Sequence, residues 1–117
     1  MAREVHVTRP HGLLIKLTEL TAAFTFTIPR AYAIRNVYGA EIGGNAVTGG
    51  LKIGTTDGGT EVIAAQTVAA STLFDVADTA LLKRFFSQAD PTILYADAVT
   101  AWNSAQVELF IDCAKLR

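Results

Sequence analysis

A single cysteine, Cys113, stands in 117 residues, so no disulfide can close within the chain. That fits synthesis in a reducing cytoplasm. Basic residues never gather: ten Lys and Arg are mixed with eleven Asp and Glu, for a formal net charge of −1. The electrostatic footprint of nucleic-acid binding is therefore missing. No apolar stretch approaches the roughly 20 residues that cross a bilayer. Arg3, Glu4 and His6 stand where a signal peptide would carry a basic patch and then an apolar run. The asparagines at 36, 45 and 103 lack a Ser or Thr two positions on, so no glycosylation sequon exists. Charge is scarce as well, at 18% against 50% apolar residues. Small soluble domains usually coat themselves with roughly 25–35% charged side chains. Part of this surface is expected to be covered by copies of the chain or by a partner.

What the chain does have is glycine set between short β-forming segments. From Ile42 to Thr72, glycine pairs cut apolar pieces at regular intervals, a pattern of strands and tight turns. Strands are predicted over Glu4–Thr8, Leu13–Leu17, Phe24–Ile28, Tyr32–Ile42, Leu51–Thr55 and Glu61–Ala69. Three more follow at Ser71–Val76, Thr92–Thr100 and Ala105–Lys115. Phe24-Thr25-Phe26-Thr27-Ile28 alternates most cleanly, apolar in and threonine out. In the fourth segment Ile34, Tyr38 and Ile42 are the inward candidates. Asp57-Gly58-Gly59 signals a hairpin. Asp75–Phe86 leans helical, with Asp78 as a cap, so at most one short helix is expected near 78–86; an extended course into a loop is the other option. One all-β domain over 1–117 follows: an antiparallel two-sheet sandwich, jelly-roll-like, with residues 1–10 as an N-terminal arm or edge strand. An immunoglobulin-like sandwich is the topological alternative, without the paired cysteines around a core Trp.

Constellations with chemical meaning are thin. Gly44–Gly49 imitates the start of a phosphate-binding loop, but Gly50 stands where the lysine belongs and strand follows instead of helix. His6, His11 and Glu4 match no zinc spacing. Cys113 falls with the apolar set of the last strand and reads as a small core residue. The six aspartates show no calcium-loop spacing, and turn or solvated roles explain most of them. No catalytic residue, metal ligand or cofactor is expected. Trp102, in a loop, is the candidate aromatic platform for a sugar; the competing reading has it capping the sandwich with its indole N–H on a loop carbonyl. Phe110 lies between Glu108 and Asp112 on the nominally outer face, which marks a contact surface. With Arg3, Val5, His6 and Val7 of the N-terminal segment it makes up the candidate interface.

Ile34–Val37, Gly44–Thr60, Leu81–Ser87 and Ala98–Ala105 together resemble a small structural protein of tailed bacteriophages, over roughly residues 30–113. The resemblance implies a β-sandwich or jelly-roll module, usually trimeric, serving as head decoration or cement, or in a tail, baseplate or fibre. The expectation is a non-enzymatic virion protein assembled in the host cytoplasm. Its expected partners are itself and the major capsid protein or other virion proteins, with neither nucleic acid nor membrane. A sugar-binding module built on Trp102 is the alternative, and a small cupin-like enzyme a third.

Overall fold

The computed structural model describes residues 3–8, 12–18, 23–76 and 79–115, with side chains from residue 12 onward. Among the described residues nine strands run in chain order: β1 (Arg3–Thr8), β2 (Gly12–Thr18), β3 (Phe24–Ile28), β4 (Tyr32–Glu41), β5 (Val47–Gly54), β6 (Ile63–Val68), β7 (Leu73–Asp75), β8 (Thr92–Asp97) and β9 (Gln106–Lys115). They form two antiparallel sheets, ordered β1-β2-β9-β4-β7 and β3-β8-β5-β6. From β2 to β9 this is the eight-strand order of a jelly roll. β1 adds an edge strand beside β2, with Val5 opposite Ile15.

Alternation drives the layering. Ile15, Leu17, Leu109 and Ile111 of the five-stranded sheet and Ile28, Ile53 and Leu94 of the other are all but sealed from water. Burying one such side chain contributes about 1.5–3 kcal/mol, and the described core contains 24 buried residues, which together hold the sheets in place. The expected hairpin between β5 and β6 is present, its turn closed by the Gly59 N–H on the Thr56 carbonyl at 2.9 Å.

Two local readings change. Tyr38 and Ile42 do not point inward; they are 43% and 54% exposed, and Val37 and Glu41 take the core positions. The cause is a β-bulge between Ile34 and Asn36, where Arg35 is the extra residue against Asp112 of β9. One inserted residue reverses which side chains face the core beyond it. The short helix near 78–86 is also absent from residues 79–86, while Asp78, its proposed cap, lies outside the described residues. The segment takes the extended course. Leu81 bridges Ile63 of β6, and Phe85 bridges Ala33 of β4. The Leu82 N–H reaches the Val62 carbonyl at 2.8 Å and the Ile34 N–H reaches the Arg84 carbonyl at 2.8 Å. This strap ties an edge of one sheet to the other, and that backbone pairing outweighs its helical spacing. Leu81 and Phe86 turn in, Leu82 and Phe85 out.

Candidate functional site

The connections 42–46, 69–72 and 98–105, with the first residue of β9, meet at one end of the sandwich, around a charge that the alternation pattern hid. Glu41, the last residue of β4, is 2% exposed. Its Oε1 accepts the backbone N–H groups of Gly44 (2.9 Å), Asn45 (3.1 Å) and Ser71 (2.9 Å). Its Oε2 accepts those of Gly43 (2.8 Å) and Gln106 (3.0 Å). Burial alone would raise the pKa of this carboxyl. The donors from Gln106, Ser71, Gly43 and Gly44 outweigh it and hold the group at about 2, below its ordinary 4.5. Five N–H groups aimed at one anion make a nest of the kind that elsewhere receives phosphate. Here the protein fills it with its own carboxylate. Two of the donors, Gly44 and Asn45, open the stretch that imitates a phosphate loop: those amides do converge on an anion, but from within.

A smaller version occupies the β5–β6 hairpin. Glu61 Oε1 accepts the Thr55 N–H at 3.0 Å, and Oε2 meets the Thr56 hydroxyl at 3.3 Å. Its own N–H and that of Thr55 pull its pKa below the ordinary value.

Trp102 sits at the Glu41 end. It is 5% exposed, and its Nε1–H donates to the Gly50 carbonyl at 2.7 Å. A ring sealed this way offers no face to a sugar, so the platform reading is corrected: Trp102 caps the sandwich. Cys113 is buried among the core side chains, and burial, with the adjacent Asp112 charge, pushes its thiol up to about 11. Such a thiol is protonated and no nucleophile at neutral pH.

The outer face of the five-stranded sheet is different in character. Cross-strand register sets Leu14, Phe110, Tyr38 and Asp75 side by side in one row. Phe110 is half-buried against the Tyr38 ring, centroids 5.1 Å apart and tilted by 47°. The neighbouring row holds Lys16, Glu108, Ala40 and Leu73, with Leu73 87% exposed on the edge strand. Lys16 and Glu108 lie 4.0 Å apart; on the other flank Arg35 forks onto both carboxylate oxygens of Asp112 at 3.0 Å. A depression of about 380 Å³ opens beside Tyr38, Gly39, Leu73, Phe74 and Asp75. The result is an apolar stripe between self-neutralised charge pairs.

Phe110 thus lies on the outer face, as its position in the last strand suggested. The other interface candidates, Arg3, Val5, His6 and Val7, are in edge strand β1, opposite β2, and their side chains lie outside the described residues, as does His11. Among the described residues no group of three or more His, Cys, Asp or Glu could hold a metal ion. Sequence reasoning missed Glu41 altogether. The only signal was a lone glutamate followed at once by a glycine-rich loop, whose amides need an acceptor. No family model, curated protein or solved structure matches the chain.

Proposed function

We propose that this chain is a non-enzymatic structural protein of a bacteriophage particle, an oligomeric decoration or cement protein on the outside of the capsid. A tail, baseplate or fibre position is the second choice from the same resemblance. The observation that carries the reading is the outer face of the five-stranded sheet, where Tyr38, Phe110 and Leu73 lie together between the Lys16–Glu108 and Arg35–Asp112 pairs. Contacts of that kind gain stability from buried apolar area without desolvating unpaired ions. Glu41 is engaged in holding loops: five backbone N–H groups occupy its two oxygens, so it is poorly placed to trade a proton with a substrate. The self-association is expected to be trimeric on the resemblance. Edge strand β1, at the start of the chain, is the arm proposed to grip the shell or a neighbouring subunit.

Antibodies against the chain should label the exterior of purified phage particles that contain it. A chain lacking residues 2–10 should stay folded, because β2 still pairs with β9, yet lose binding to those particles. Particles free of the protein defeat the virion reading; undiminished binding of the shortened chain defeats only the arm.

A further inference from the structure

The outer face of the five-stranded sheet has a symmetry of its own, visible in the register. Four of its strands, in the order β2-β9-β4-β7, carry described side chains across this face, with β9 and β4 in the middle of the four; β1 extends the sheet beyond β2. The row Leu14, Phe110, Tyr38, Asp75 crosses all four strands, and the Arg35–Asp112 pair sits one step along the same two central strands. We propose that this face binds the same face of a second copy of the chain, about a two-fold axis parallel to the strands and between β9 and β4.

Such an axis exchanges β9 with β4 and β2 with β7 while leaving every row at its own height. Phe110 then meets Tyr38 of the second copy, and Tyr38 meets its Phe110, closing a cluster of four rings across the axis. Arg35 meets Asp112 of the second copy, and the reverse, so each intrachain fork becomes one side of a ring of alternating charges. Lys16 comes over Leu73 of the second copy, where its methylene stem can cover the most exposed apolar side chain of the sheet. Like charges do not oppose one another in these two rows of charged residues. Glu108 faces Ala40, and Asp75 faces Leu14 at the rim, where its carboxylate stays in water. Face-to-face sheets pack about 10 Å apart with strands within about 30°, so four strands on four form one contact. An isologous contact must be self-complementary, and this pattern is. A partner of strong single charge would gain nothing from a face whose ions are already paired. This contact is independent of the phage assignment and stands or falls without it.

Sedimentation of the full chain up to near-millimolar concentration tests it. Dimers are expected, or hexamers where the two-fold contact joins trimers of the kind the resemblance implies, and Tyr38→Glu should weaken the association by roughly 100-fold or more, since central aromatic contacts dominate interfaces. The sharper experiment mixes two variants. Arg35→Asp carries two acidic groups at that corner and Asp112→Arg two basic ones, so each alone should self-associate poorly. Mixed in equal amounts they should pair with each other, because both intermolecular contacts become opposite in sign. Thermal melts of the single variants verify that each is folded, since a surface ion pair adds little to stability. A wild-type chain that stays monomeric, a trimer with no even-numbered species, or a mixture that pairs no better than its components would overturn the two-fold contact. The trimer outcome would leave the virion reading intact.

Discussion

Replacing Glu41 by glutamine keeps the size of the side chain but puts an NH2 group where backbone N–H groups converge. At least two of the five donors would face another donor, and a buried unsatisfied polar group costs about 1–3 kcal/mol. Glu41→Gln is therefore expected to lower stability by about 2–4 kcal/mol at neutral pH, read from urea unfolding midpoints. Its pH dependence follows from the depressed pKa. The folded state favours the ionised carboxyl, so the stabilisation is complete above the ordinary 4.5 and fades as pH falls through that value towards about 2. The wild-type chain should lose stability across that window by more than the glutamine variant does. Equal slopes for the two proteins would remove Glu41 from the explanation of acid sensitivity. Its role was hidden from the sequence because strict alternation from Ile34 sends residue 41 outward; only the bulge at Arg35 brings it in. Trp102 was easier: an indole in a loop of an apolar chain has few better options than a carbonyl near the core edge.

At the level of the elements, the nine strands were legible because period-two alternation and glycine breaks are local. Phe24–Ile28 was found to the residue, and the β5–β6 hairpin through its Asp57-Gly58-Gly59 turn. β5 was placed four residues short because Gly49-Gly50 read as a turn while the ladder runs through them to Val47. The strap at 79–86 was ambiguous because its conformation is decided by distant pairing with β4 and β6, which no local pattern carries. The sheets also separate two uses of glycine. Gly39 of β4 lies so close to β9 that an added Cβ would run into the Glu108 carbonyl. Gly44 has a φ of 80° in the nest loop, and a Cβ there would meet nothing within 4 Å. Gly39→Ala should push the two central strands apart and cost more than about 2 kcal/mol, whereas Gly44→Ala carries only the left-handed backbone penalty of about 1–2 kcal/mol. Thermal melts of the pair give the order directly. If Gly44→Ala is the worse of the two, the nest loop matters more than the central seam.

For the molecule as a whole, six of the eight connections between the described strands cross from one sheet to the other, and the final strand β9 lies between β2 and β4. The five-stranded sheet therefore gains its centre only when the last segment of the chain arrives. Topologies dominated by such distant pairings fold slowly, in milliseconds to seconds. Half of the residues are apolar, so any delay exposes surface that would otherwise be hidden. The position of Cys113 follows from the same arrangement. It is the sole thiol of the chain and lies on β9, opposite Ile34 and 2% exposed. A maleimide or disulfide reagent in excess can reach it only when that central seam comes apart. Labelling of the unmodified chain should be slow in native buffer and accelerate in step with added urea. Rapid reaction without denaturant would mean that the seam opens on its own. The protein thus carries a chemical clock for its own opening, one that needs no engineered probe.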